Sequence, residues 1–252
     1  MNASDFPYLQ HDGFIAMAHR GGAGEWPENT MPAFENAVAL GYRYIETDVH
    51  TTRDGALIAF HDDRLDRVSN KNGRINELAL IDVRAARIDG SERVPEMAEV
   101  LQSWPQIKFN IEPKDDAAVE PLCRLIKESN AIDRVCVGSF SGARIARARE
   151  ILGPQLCTSM GPYDVARLRL AALGVPVGSF DAACAQVAPT HYGIPAASKA
   201  MVEAAHDRGM QLHVWTIDDP QEMRLFIDRG VDALMTDEPA ILKSVLQSRD
   251  LW

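Results

Sequence analysis

Side chains with catalytic chemistry stand in this sequence where apolar runs stop. The run Phe14-Ile15-Ala16-Met17-Ala18 gives way to His19 and Arg20, Ala56-Leu57-Ile58-Ala59-Phe60 to His61, and Lys108-Phe109-Asn110-Ile111 to Glu112 and Lys114. In Tyr44-Ile45-Glu46-Thr47-Asp48-Val49-His50 the period of an extended strand puts Glu46, Asp48 and His50 on one face, and the same rule joins Asn110, Glu112 and Lys114. Burying Glu46, Asp48 and Glu112 together is prohibitive, through repulsion and lost hydration, unless protons or a cation neutralise them. One divalent cation does this economically, and carboxylate ligands favour hard Mg²⁺ or Ca²⁺ over the zinc that His and Cys select. A salt-bridged structural cluster is the alternative. His19 and His61 beside such an ion read as an acid–base pair, because displacement at phosphorus needs one proton removed from the attacking oxygen and another supplied to the leaving one. Arg20, as a two-oxygen fork, and Lys114, as a point charge, would then face an anion, and a phosphate diester fits. Acid–base catalysis supplies about 10²–10⁴-fold, whereas hydrolysis of inert phosphate esters needs about 10¹⁷-fold or more, so the cation and the fixed positive charges must carry much of the rest.

Short apolar runs alternate with longer amphipathic stretches from end to end, the rhythm of βα units feeding a parallel sheet. Strands are expected at 14–18, 44–49, 108–111, 135–138, 156–159, 184–188, 211–215 and 233–235, and helices at 31–40, 97–104, 117–129, 142–152, 163–173, 198–207, 220–228 and 240–248. Thr30 is placed to cap the first helix with Pro32 in its opening turn, and Gly41, Gly174, Gly209 and Gly230 follow the ends of others. The stretch 176–195, rich in Gly, Pro and Ala, reads as loop for most of its length. The fold class expected is α/β, a (β/α)₈ TIM barrel forming a single domain over 1–252. A short charged insertion at 64–93, with a turn signal at Asn70-Lys71-Asn72-Gly73, follows the second strand region. Chemistry in such a barrel sits at the C-terminal ends of the strands, where the polar residues above fall.

With 252 residues, 46% of them hydrophobic, the chain can build a full core. Its 36 acidic and 26 basic side chains give a formal charge of −10, which argues against broad binding of nucleic acid or anionic membranes. No stretch approaches the roughly 20 apolar residues of a membrane helix, and the N-terminus, MNASDFPYLQHDG, has neither a basic segment nor an apolar run. A cytoplasmic enzyme without stable membrane insertion is expected, compatible with a homo-oligomer. Cys123, Cys136, Cys157 and Cys184 are widely spaced, with no CxxC pair, and read as buried free thiols.

Several stretches combine into one pattern: AHRGG at 18–22, PENTMPAF at 27–34, IETDV-x-TT-x-DG at 45–55, FHDDRLDR at 60–67, VPEMAEVL at 94–101, NIEPK at 110–114, HVWTID at 213–218 and GVDALMTDEP at 230–239. In this order and spacing, over nearly the whole chain, the sequence resembles the glycerophosphodiester phosphodiesterase family. The resemblance implies a barrel enzyme that uses one divalent cation to hydrolyse glycerophosphodiesters to sn-glycerol 3-phosphate and an alcohol. It implies metal ligation by Glu46, Asp48 and Glu112, acid–base work by His19 and His61, phosphate contacts from Arg20 and Lys114, and Trp215 as a wall for the glycerol moiety. Without it, Trp215 reads equally well as a barrel-filling aromatic. Pro113 stands where the family more often has a β-branched residue; it suits a strand terminus and bears on how Lys114 is aimed.

Asp237 is expected to have a structural role first, such as capping the last helix, ahead of orienting a neighbour. Asn29 is expected as a turn residue or as one just behind the site, and His50 in the packing of the lumen ahead of a place near the metal. Two other functions compete: a phosphodiesterase for lysophospholipids or related choline or inositol phosphodiesters, and a non-catalytic phosphate-binding barrel. The lack of an amphipathic membrane helix favours small soluble substrates. Two histidines with three acids favour turnover, since a binder needs no proton-transfer pair.

Overall fold

The computed structural model describes residues 1–191 and 194–252; Tyr192 and Gly193, within the stretch read as loop, lie outside the described residues. The strands are β1 (Ile15–Ala18), β2 (Tyr44–Thr51), β3 (Leu57–Ala59), β4 (Lys108–Pro113), β5 (Val135–Val137), β6 (Cys157–Thr158), β7 (Cys184–Val187), β8 (Thr190–His191), β9 (Ile194–Pro195), β10 (Gln211–Val214) and β11 (Ala233–Thr236). Among the described residues, β1, β2, β4, β5, β6, β7, β10 and β11 run parallel in that order, and β11 returns to β1 with Ile15 opposite Ala233. One bridge, between Ser159 and Cys184, joins β6 to β7 and completes the (β/α)₈ barrel. Each expected strand region forms, with ends moved by a residue or two. The stretch 176–195 contains β7 and, beyond it, the antiparallel pair β8–β9.

Helices α1 (Met31–Ala39), α2 (Leu80–Arg84), α3 (Met97–Ser103), α4 (Val119–Glu128), α5 (Gly142–Leu152), α6 (Pro162–Ala172), α7 (Lys199–His206), α8 (Pro220–Asp228) and α9 (Pro239–Gln247) follow or connect the strands. Thr30 Oγ1 accepts from Ala33 N at 3.4 Å, capping α1, and Gly41 reverses the chain at its end with φ +97°. Outward-facing Ile45, Val49, Phe109, Ile111, Val135, Val137, Leu212, Val214 and Leu234 are buried against the helices in the main core.

The inward faces build a second, separate core. Ile15, Met17, Tyr44, Cys136, Cys157, Cys184, Ala233 and Met235 fill the base of the lumen, where Phe6, Tyr8 and Leu9 of the N-terminal turns plug it. Full burial of such a Phe or Leu contributes roughly 1.5–3 kcal/mol. Lys108 ties the plug in place: its Nζ donates to the carbonyls of Pro7 (2.8 Å), Tyr8 (3.1 Å) and Gln10 (2.7 Å).

β3 folds back antiparallel on β2, pairing His50 with Ile58 and Val49 with Ala59, and so brings the chain after Phe60 to the rim. The segment 64–93 then gathers over a small core of its own, with Leu65, Ile75, Val83, Ala86 and Ile88 packed on Ile58, Phe60 and Val94.

Candidate active site

Parallel register sets the acids. Across β2 and β4, Glu46 pairs with Asn110 and Asp48 with Glu112, so the carboxylates rise in successive layers towards the mouth. Glu46 and Asp48 are 5% and 2% exposed, which makes their partners decisive. Asp48 Oδ2 accepts from Asn29 Nδ2 at 3.1 Å and lies 3.4 Å from Arg20 Nε, while Oδ1 lies 3.3 Å from Lys114 Nζ. The same ammonium donates to Glu112 Oε2 at 3.2 Å. Burial disfavours the Lys114 charge, yet Asp48 and Glu112 together hold its pKa above the ordinary lysine value. Pro113 ends the strand without deflecting this residue: Lys114 N still donates to Val49 O at 3.0 Å.

His19 and Arg20 leave β1 in a tight turn. Arg20 adopts φ +51°, and Gly21 follows at φ +85°, where a Cβ would stand 2.9 Å from Ala33 Cβ and Phe34 Cδ1; only glycine fits there. The turn aims Arg20 N at Glu46 Oε2, 3.1 Å away, and sets His19 Nε2 3.8 Å from the same oxygen. His19 Nδ1 is held at 2.8 Å by Asp237 Oδ1, leaving Nε2 directed to the site. Burial works against a charged His19, but Glu46 and the Asp237 hydrogen bond outweigh it and hold the pKa above its ordinary value. Burial, and then the charge of Asp48, push Glu46 well above the usual carboxylate range.

His61 follows β3, the strand that folds back on β2, with Nδ1 held at 2.7 Å by Asp62 Oδ1. His50 fixes the backbone beneath it: Nε2 lies 3.1 Å from the His61 carbonyl and Nδ1 2.9 Å from Asp115 Oδ2. Arg67 then links the two halves of the rim. It grips Asp62 (Nε–Oδ2 2.7 Å, Nη2–Oδ1 3.0 Å) and Glu28 (Nη1–Oε2 2.9 Å, Nη2–Oε1 2.6 Å), and Glu28 Oε1 accepts from Arg20 Nη1 at 3.2 Å. Arg67 holds the Asp62 carboxyl down at about 2. Trp215 stands apart from this charged network, half-buried at the end of β10 with its ring edge-on to the exposed Phe140 at 5.6 Å.

The donor set bears on whether a hard cation fits. Three clustered carboxylates face two nearby fixed cations, Arg20 and Lys114, and Glu46 in particular lacks a strong counter-charge, which suits an oxygen-seeking divalent ion. Among the described residues the acids do not form a group whose ligand oxygens all approach within 4.8 Å of one another; Lys114 Nζ stands between Asp48 and Glu112. Among the described residues Arg20 Nε is a buried donor without a hydrogen bond, its approach to Asp48 being poorly aligned, so it is left to donate to a phosphoryl oxygen.

Glu46, Asp48, Glu112, Arg20, Lys114 and His19 are thus joined by direct contacts, His61 is tied in through Asp62, Arg67 and Glu28, and Trp215 is not tied in. Asp237 differs from expectation. It anchors His19, and α9 receives no side-chain cap from Glu238. The sequence assigned no role to Glu28, Asp62 or Arg67; the only signal was their position in the charged stretches around Asn29 and His61. Asn29 sits in a left-handed turn at φ +54° and also accepts from Thr47 Oγ1 at 2.6 Å, so it positions Asp48 directly.

Comparison with known proteins points in one direction. The model of the glycerophosphoryl diester phosphodiesterase family matches residues 19–241. A probable glycerophosphodiester phosphodiesterase of Mycobacterium tuberculosis is 37% identical over 251 residues, covering 97% of this chain and 95% of that one. Two solved structures share the fold. A protein from Silicibacter pomeroyi described as a putative glycerophosphoryl diester phosphodiesterase has a TM-score of 0.81 at 22% identity, covering 98% of this chain and 99% of its own. An Oleispira antarctica phosphodiesterase, solved with the product sn-glycerol-3-phosphate, has a TM-score of 0.78 at 21% identity over 93% and 97% of the two chains.

Proposed function

Because the chain belongs to the glycerophosphoryl diester phosphodiesterase family, we propose that this enzyme hydrolyses glycerophosphodiesters to sn-glycerol 3-phosphate and an alcohol through His19 and His61, with one divalent cation held by Glu46, Asp48 and Glu112. The observation that carries the proposal is that both imidazoles have Nδ1 anchored by a carboxylate, Asp237 at 2.8 Å and Asp62 at 2.7 Å, at a rim whose centre is lined by acids and two fixed cations. Anchoring one nitrogen selects the rotamer and leaves Nε2 for substrate. One imidazole takes the proton of the attacking oxygen and the other returns a proton to the departing alkoxide. Arg20 offers Nε to a phosphoryl oxygen, and Lys114 lends its charge as negative charge develops. A bound Mg²⁺ or Ca²⁺ supplies Lewis-acid polarisation of the phosphoryl group. Trp215 and Phe140 wall the apolar side of the mouth, where the three carbons of glycerol would pack.

Among the described residues no helix is long and apolar enough to cross a membrane. The four cysteines are free and buried, which suits a reducing compartment and supports a cytoplasmic setting. The test is direct. Purified protein with glycerophosphocholine and Mg²⁺ or Ca²⁺ is expected to release glycerol 3-phosphate, EDTA to abolish release, and excess cation to restore it. Turnover untouched by chelation removes the cation from the scheme, and the absence of glycerol 3-phosphate removes the substrate.

A further inference from the structure

The base of the lumen holds sulfur that the reaction does not use. Cys136, Cys157 and Cys184 come from the adjacent strands β5, β6 and β7, are buried, and offer Sγ atoms that all lie within 4.8 Å of one another. Among the described residues no other group of three or more His, Cys, Asp or Glu side chains brings its ligand atoms this close. Cys184 Sγ also makes a long contact, 3.9 Å, with the Thr158 carbonyl.

Two further observations meet at the same place. The Tyr8 hydroxyl is wholly buried in this cluster and has no hydrogen-bond partner among the described residues, an omission that ordinarily costs about 1–3 kcal/mol. The cluster also straddles the thinnest joint of the barrel, where β6 is two residues long and meets β7 through the lone Ser159–Cys184 bridge.

We propose that Cys136, Cys157 and Cys184 form a buried site for one thiophilic divalent cation of the zinc class, with the Tyr8 hydroxyl available for a fourth position, and that the ion staples β6 to its two neighbours. The three thiols give up their protons on binding, and the ion takes the three sulfurs as ligands. Soft sulfur here and hard oxygen at the mouth separate the two cation sites by chemistry, at opposite ends of one lumen.

The full chain is refolded from urea under reducing conditions, which opens the lumen to the ion, in saturating Mg²⁺ to fill any carboxylate site, with and without Cd²⁺ or Zn²⁺. Expected are one Cd²⁺ per chain, an ultraviolet cadmium–thiolate charge-transfer band, three sulfur neighbours by X-ray absorption, and a Tm that climbs by several degrees as free ion rises. Cys123→Ala, remote on α4, should keep the band, and Cys157→Ala should lose it. If Cys157→Ala does not fold, the sulfur count on the unaltered protein decides. Only oxygen and nitrogen neighbours, or a Tm independent of the ion, would overturn the site and leave three packed thiols.

Discussion

Arg67→Leu tests whether the rim is aimed by a network or only by the backbone. Arg67 first, and then His61, hold Asp62 at about 2 against the ordinary 3.8, a difference worth about 2.4 kcal/mol in all at 1.36 kcal/mol per pH unit. The Arg67 side chain is 48% exposed and that of Asp62 25%, so solvent screening discounts this to about 1 kcal/mol. Asp62 has a depressed pKa in the fold, so its contribution is complete above about pH 4 and is lost as pH falls through about 2. Urea unfolding at pH 7 should therefore show a loss of about 1 kcal/mol, or roughly 2–4 °C in Tm, and the gap to the unaltered protein should close as pH approaches 2. Turnover should fall further than stability. With Asp62 unpinned, the His61 anchor at 2.7 Å loses its fixed direction, and a loss of about 1.4 kcal/mol in aim is a tenfold fall in kcat. Arg67→Lys separates charge from geometry: a point charge cannot fork onto both Asp62 and Glu28, so stability should recover in part while kcat stays low. An unchanged kcat/KM for glycerophosphocholine in Arg67→Leu, or full recovery of kcat in Arg67→Lys, would refute the reasoning.

His19→Ala and His61→Ala should each lower kcat by at least about 10²-fold with circular dichroism unchanged, and near-normal rates in either would reject that residue's role. Asp237→Asn keeps the shape beside His19 but removes a charge-assisted hydrogen bond of 2.8 Å; kcat should drop about 10–10²-fold, and a drop confined to KM would deny it the orienting role. Lys114→Ala should raise KM about tenfold or more. It also leaves Asp48 and Glu112 facing each other, so Tm should fall in EDTA and recover with Mg²⁺; recovery without cation would mean that the acids do not need one.

The strands and helices were legible because most barrel strands are short apolar runs closed by a polar residue, and helix ends carry their own residues: Thr30 before α1, Gly41 after it. The positions of the acids were legible for the same reason, since alternation along β2 fixes Glu46 and Asp48 on one face whatever the rest of the chain does. Their partners were not. Asp237 meets His19 across 218 residues and Arg67 meets Glu28 across 39, and no local pattern encodes a contact made only when the ring closes. The plug formed by Phe6, Tyr8 and Leu9 was hidden likewise: these residues have no helical or strand period, and apolar packing together with the carbonyls gathered by Lys108, Tyr44 and Gln211 holds them in the lumen.

The inward side chains change character along each strand from base to mouth: Ile15, Met17, then His19 on β1; Tyr44, Glu46, then Asp48 on β2; Ala233, Met235, then Asp237 leaving β11. This ordering lets one lumen serve two purposes. The base is a buried apolar cluster that suits sulfur; the mouth concentrates charges that would each cost several kcal/mol if buried alone. At the mouth the cost is offset group by group, Asp48 by Asn29, Arg20 and Lys114, Glu112 by Lys114, and Glu46 by Arg20 N and His19. Glu46 has the poorest set of partners, a backbone N–H and an imidazole 3.8 Å away, and it lies deepest of the three acids. Added positive charge would gain most there, so the proposed cation would be drawn first to Glu46.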